Sequence, residues 1–235
     1  MKNLILAGFM LLIFSGVSSN AQPEKKPAVY ATITIGTQVW MVENLNTTKY
    51  RNGDPIPKVT DNTLWGNHTT GSYCDYNNDE INSTTYGRLY NWYAVNDNRL
   101  IAPAGWHVAT DAEWTILTEY LTNKGYGYQG SGTDIAKSMA STSGWNTYST
   151  PGSAGNDQAS NNSSGFKALP AGYRYGDGSF SNIGYSNSFW SSTMSNTLGA
   201  WYRSMYYSIG DVSRSDYSKG SGFSVRCLKD VSAPR

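Results

Sequence analysis

WHVATDAEWTILTEYLTN, residues 106–123, changes its period partway along. Trp106, His107 and Val108 alternate apolar and polar, the two-residue repeat of a strand. From Thr110 onward the apolar residues fall at Trp114, Leu117 and Leu121, the spacing of one helix face. Thr110 with Glu113 three residues later forms a capping box, in which hydroxyl and carboxylate each satisfy an N–H group left free at a helix start. A strand that runs through a cap into an amphipathic helix puts both periods in one fold.

On the N-terminal side of this stretch, Ala102-Pro103-Ala104-Gly105 reads as a turn. Before it, Thr84 or Thr85 leading into YGRLYNWYAVN predicts a second helix. Val59 to Tyr76 is turn-rich, and Asn77 to Ser83 reads as a polar loop. Val29 to Leu45, VYATITIGTQVWMVENL, alternates about Gly36-Thr37 and predicts a two-stranded hairpin. On the C-terminal side, Gly125 to Gly165 is rich in Gly, Ser, Thr and Asn. It predicts a long loop laid over the surface and anchored by Ile135, Met139 and Trp145. Beyond it, short strands are expected in FKALPAGYR, SFWSST, AWYRSMYY and GFSVRCL. Helices early and strands late predict an α+β fold.

The ends and the composition narrow the function. Lys2, the apolar run Leu4 to Phe14 and the small residues up to Ala21 read as a secretory signal peptide over 1–21. That run is too short to cross a bilayer, for which about 20 apolar residues are needed. Residues 22–28 read as an exposed leader, 29–230 as a single domain and 231–235 as a tail. An exported protein without a transmembrane segment is expected, extracellular, on the cell surface or in the periplasm. Charged residues make up 15% of the chain and the net charge is +1, which leaves no electrostatic footprint for nucleic acid. Eight Trp and eighteen Tyr carry the recognition potential instead. Cys74 and Cys227 are the two cysteines, and in an oxidising compartment they predict a disulfide. Closing so long a loop would stabilise by about 3–5 kcal/mol in the chain-entropy model. Two separate buried thiols are the alternative.

Catalytic motifs are weak. His68 falls in a loop and His107 in a strand, where a hydrogen-bonded structural role is the simpler reading. No GxSxG nucleophile elbow occurs. Glu43, Glu80, Glu113 and Glu119 are scattered, so no glycosidase pair can be argued. Gly125 to Gly130, GYGYQG, matches a dinucleotide fingerprint in letters but follows a helix where that fingerprint follows a strand, so it reads as a loop. Asp75, Asn77 and Asp79 supply oxygen donors at alternate positions, as a Ca²⁺ loop would, yet without the Gly and distal Glu of an EF-hand. A solvated turn is the competing reading, and no cofactor other than Ca²⁺ is suggested.

Several phrases occur together: IGTQVWMVENL at 35–45, YGRLYNWYAV at 86–95, PAGWHVATDAEWTIL at 103–117, SGFKALPAGYR at 164–174, FWSST at 189–193, AWYR at 200–203 and GFSVRC at 222–227. In this order they resemble the Fibrobacter succinogenes major paralogous domain, across essentially the whole mature chain. The resemblance implies a C-type lectin-like fold, related to the formylglycine-generating enzymes: two helices on a twisted antiparallel sheet, with binding carried by loops. It implies little about function, because one fold hosts many. Many relatives have a Cys before the Pro-x-Gly-Trp phrase where this chain has Ala102, leaving Cys74 as the partner for Cys227. The enzyme's pair of cysteines near the C-terminus and the lectins' calcium-dependent sugar tripeptides are both missing. Some proteins of this fold are rewritten by diversity-generating retroelements at adenines. Tyr206 to Ser218 are all reachable from Asn codons in that way, as most amino acids are.

The stretch from Ser186 to Cys227 mixes Tyr, Trp and Phe with Ser, Asn and Gly, the chemistry of adaptable binding loops. Trp190, Trp201, Phe223 and Val225 alternate with polar residues and are assigned to the core. Tyr206, Ser208, Ile209, Asp211, Ser213, Ser215, Asp216 and Tyr217 lie between those phrases, where strands are expected to turn over, and form the expected contact surface. Ser186 and Ser188, with Asn187 and Phe189, precede a strand and could join them. The expectation is a non-enzymatic protein holding a protein or carbohydrate ligand. A structural envelope or matrix component and an enzyme acting on polysaccharide are the alternatives.

Overall fold

A computed structural model describes residues 29–231. The expected signal peptide, the leader 22–28 and all but the first residue of the tail lie outside the described residues. The hairpin forms as expected: β1 (Thr32–Ile35) pairs antiparallel with β2 (Gln38–Met41), Ile35 opposite Gln38. The two-residue turn between them begins at Gly36, whose φ of 61° a side chain would resist.

The region from Asn62 to Val95 is more broken than its sequence suggests. It contains α1 (Asn62–Gly66), β3 (Tyr73–Cys74), α2 (Glu80–Tyr86), β4 (Leu89–Tyr90) and α3 (Trp92–Val95). The single helix expected from Thr84 or Thr85 onward is corrected to two short ones with a strand between them. Asp79, in the expected polar loop, is the true N-cap and accepts from the Ile81 N–H, while Gly87, at φ 75°, ends the helix. Gly87 also lies so close to Asn44 that an added Cβ would sit 2.7 Å from its Cβ. Leu89 and Tyr90 are then free to pair with β3, and Asn91 caps the next turn through the Ala94 N–H.

The stretch that mixes two periods folds as both. Its strand is β5 (Trp106–Val108) and its helix α4 (Asp111–Asn123), with the complete capping box at Thr110 and Trp114, Leu117 and Leu121 fully buried. The long loop contains one short α-helix, α5 (Ala136–Met139), and two 3-10 turns, Tyr128–Gly130 and Gln158–Ser160, and its expected anchors Ile135, Met139 and Trp145 are all buried. After it come β6 (Ala171–Arg174), β7 (Phe180–Ile183), β8 (Ser186–Met194), β9 (Gly199–Tyr206), β10 (Ser213–Ser218) and β11 (Cys227–Lys229).

Helices together with sheets that are antiparallel except for the β6–β8 pair make the chain α+β. One sheet has the order β1-β2-β11-β5, so the last strand closes against the first hairpin. A second runs β10-β9-β8-β6-β7, and β3-β4 forms a small third. The strand β10 lies where the sequence suggested only a turn. Its six residues are all exposed, so no apolar alternation marks it, and only its register with β9 reveals it.

The expected disulfide does not form. Cys74 and Cys227 are both free and fully buried. Cys74 packs with Val59, Trp65, Tyr76 and Leu89, whereas Cys227 belongs to a different cluster with Met41, Tyr90, Trp106 and Val108. Burial pushes both thiols up to about 12, which keeps them protonated and unreactive.

Candidate functional site: a tyrosine face on the five-stranded sheet

Register sorts the side chains of this sheet. Ser186, Ser188 and Trp190 of β8 stand opposite Tyr206, Ser204 and Tyr202 of β9, and Ser204, Tyr202 and Ala200 stand opposite Ser213, Ser215 and Tyr217 of β10. Because successive strand residues point to opposite sides, these share one face, and Phe189, Trp201, Arg203, Met205, Arg214 and Asp216 share the other. On β6, Tyr173 lies on the side of the serines, since its neighbour Gly172 aligns with Asn187.

The first face is aromatic and hydroxylated. Phe223, from the last crossing of the chain, sits at its centre: its ring lies 4.3 Å from Trp190, 5.0 Å from Tyr202, 5.8 Å from Tyr217 and 5.9 Å from Tyr173. Tyr202 meets Tyr217 edge-on at 6.1 Å, and Tyr173 meets Tyr175 at 4.9 Å with their hydroxyls 2.9 Å apart. Asn182 donates to the Tyr173 hydroxyl at 3.1 Å. Tyr173 is buried, Tyr175, Tyr202 and Tyr206 are half-buried, and Tyr217 is 39% exposed. Burial raises the phenols of Tyr173, Tyr202 and Tyr217 above their usual value, and neighbouring tyrosines add to the effect, so these hydroxyls stay neutral donors.

The second face takes the charge. Asp111, at the start of α4, accepts from Arg203 at 2.6 Å and from Arg214 at 2.8 Å, and Arg214 lies 3.6 Å over the Trp201 ring. Burial alone would raise the Asp111 carboxyl, but Arg214 and Arg203 together hold it below the usual carboxylate range. Asp216 accepts from Ser195 and Asn196. Trp201, assigned to the core from its alternation, is half-buried under Arg214. Trp190, Phe223 and Val225 are buried as expected.

The expected contact residues therefore divide. Tyr206, Ser213, Ser215 and Tyr217 lie on the tyrosine face, and Asp216 lies on the opposite one. Ser208, Ile209 and Asp211 follow β9 at the end of the sheet, where Gly210 O accepts from the Ala136 N–H and Asp211 reaches Thr133 at 3.5 Å. Ser186 and Ser188 are corrected: they do not precede β8 but open it, and both are buried with Asn187 and Phe189. Tyr173, Tyr175 and Tyr202 were not anticipated. The alternation of Tyr173 and Tyr175 in GYRYG carried a period-two signal, but no sequence spacing shows that β6 lies beside β8.

Two of the three suggested calcium ligands, Asp75 and Asp79, are otherwise engaged. Asp75 is buried, lies within ion-pair distance of Lys58 at 2.7 Å and of Arg88 at 3.4 Å, and accepts from Ser83, while Asp79 caps α2. Two cations beside the Asp75 carboxylate already neutralise it, and a third positive charge there would be repelled, so it does not fit a metal ligand. Among the described residues no group of three or more His, Cys, Asp or Glu side chains gathers as a metal site. His107 is held on both nitrogens, Nδ1 by Asp230 at 2.7 Å and Nε2 by Glu113 at 2.9 Å. The loop Gly125 to Gly130 contains only a short helical turn at Tyr128–Gly130 and follows α4, as a loop rather than a nucleotide cradle. No described helix is long and apolar enough to cross a membrane.

A family model described as the Fibrobacter succinogenes major domain matches residues 33–229. No curated protein and no solved structure matches the chain.

Proposed function

The chain belongs to the Fibrobacter succinogenes major domain family, and from that premise we propose that it is an exported, non-enzymatic binding domain of C-type lectin-like fold whose tyrosine face holds a protein or glycan ligand. The observation that carries this reading is the gathering of Tyr173, Tyr175, Tyr202, Tyr206 and Tyr217 on one open sheet face while Arg203, Arg214 and Asp216 turn to the other. Tyrosine offers a wide contact area with little rotamer entropy to lose, and a hydroxyl at its tip for orientation. Serine hydroxyls of β10 stand between the rings and can adapt their bonds to the ligand. The lectin-like fold is supported by the closure of the last strand against the first hairpin and by the packing of α4 on β8 and β9. A binding role is favoured over catalysis because, among the described residues, these hydroxyls bond one another and Asn182 rather than a carboxylate or imidazole, and His107 is held between Glu113 and Asp230 on another sheet.

Glycan arrays and affinity capture from culture medium identify candidate ligands for the mature chain. The Tyr206→Ala, Tyr217→Ala double variant is expected to lose at least tenfold in affinity, about 1.4 kcal/mol, while keeping its melting temperature near that of the parent. Unchanged affinity for every captured ligand would refute the proposal.

A further inference from the structure

A second candidate site lies away from the tyrosine face, in a cavity of ≈ 360 Å³ between the segment after β2, the end of α2 and the loop before β6. Arg226 lines it, and this side chain is 1% exposed. A guanidinium has five N–H groups. Here Nε and Nη2 donate to Asn44 Oδ1, and Nη1 donates to Met41 O and Phe166 O. Four donors are thus engaged, the fifth has no protein acceptor, and no carboxylate reaches Arg226 within ion-pair distance among the described residues. The ring of Phe166 at 4.5 Å and that of Phe189 at 5.5 Å only partly offset the missing counter-charge.

A buried cation without an anion is costly, and a ligand that brings the anion recovers that cost. The rim of the cavity suits such a ligand. Lys167 is exposed and pairs with no carboxylate among the described residues, and Thr84 and Thr85 present hydroxyls. Glu43, also exposed, opposes them, so the charge around the cavity is two cations against one carboxylate. Burial pulls the Arg226 guanidinium down to about 9, which agrees with a charge lacking its partner.

We infer that this cavity binds a hydroxylated carboxylate of uronate type, with the carboxylate directed at Arg226 and Lys167 and the hydroxyls at Thr84 and Thr85. This inference is independent of the tyrosine face.

The test uses the full mature chain with galacturonate as probe and galactose as its neutral counterpart. Affinity is measured by calorimetry, and the Arg226 Nε–H resonance is followed by NMR. Galacturonate is expected to shift that resonance, and galactose is not. Replacing Arg226 could unfold the protein, so the charges are varied at the exposed rim. Lys167→Gln should weaken galacturonate binding and Glu43→Gln should tighten it, each by roughly two- to fivefold, as an exposed charge pair supplies. An unmoved Arg226 resonance, an equal shift with galactose, or affinities indifferent to both variants would overturn the inference.

Discussion

Asp111 holds two arginines that contribute very differently. Arg203 is 2% exposed and donates to the Asp111 carboxylate, the Asp111 carbonyl and Thr115 Oγ1, whereas Arg214 is largely exposed and lies over Trp201. Asp111→Asn leaves Arg203 buried without a counter-charge and should cost about 2–4 kcal/mol. Arg214→Ala should cost less than about 1 kcal/mol. Urea unfolding of the two variants checks the contrast. His107 offers a test in pH. Burial alone would lower its pKa, but hydrogen bonds to Asp230 and Glu113 raise it above 6.5. A raised histidine pKa favours the folded state most fully below the unfolded value and loses that contribution as pH rises through the folded value. Glu113 is held below its usual range despite its burial, by the Thr110 N–H and hydroxyl and then by His107, so it stays ionised through this window. The loss of melting temperature caused by His107→Gln should therefore be larger at about pH 5.5 than at about pH 8.5. Equal losses at both would show that the pairs do not contribute. Apart from the Thr110–Glu113 box, these partners could not be found from spacing: Asp230 and His107 are brought together only when β11 lies beside β5.

At the level of elements, legibility follows burial and local chemistry. The helix α4 was readable in full because its cap, its period and its buried face all lie within one short stretch. Thr110→Ala removes the hydroxyl that accepts from the Glu113 N–H and should destabilise by about 1–2 kcal/mol, measurable by denaturant unfolding. A change below about 0.3 kcal/mol would show that the remaining Glu113 bond to the Thr110 N–H suffices. In contrast, the single helix expected from Thr84 or Thr85 onward breaks into the end of α2, β4 and α3. Its residues favour helix locally, but Leu89 and Tyr90 gain more by pairing with β3 and with Phe223, a contact across most of the chain. The opposite failure occurs at β10. An exposed edge strand buries little, so its Ser, Arg and Asp residues carry no hydrophobic signature, and its pairing with β9 alone makes it a strand.

At the level of the whole molecule, the two cysteines separate expectation from outcome. Cys74 and Cys227 sit in different core clusters, so the folded protein is expected to keep two thiols. Non-reducing denaturation should release two groups reactive toward a thiol reagent, and the native protein should release none, with no change of melting temperature in reductant. One molecule of disulfide per chain would contradict the fold described. The α+β class, the first hairpin, the capped helix and the family were legible in the chain alone, because each rests on short-range period, cap chemistry or ordered phrases. It also pointed to the C-terminal aromatic stretch as a surface of interest. Which of those residues act together was set by how the strands pair. Register turned Tyr206 and Tyr217 to one face and Asp216 to the other, buried Ser186 and Ser188, and brought Tyr173 and Tyr175 from β6 beside them. A strand fixes only alternation along itself. Which strand becomes its neighbour is set by long-range pairing and burial, which no local pattern records.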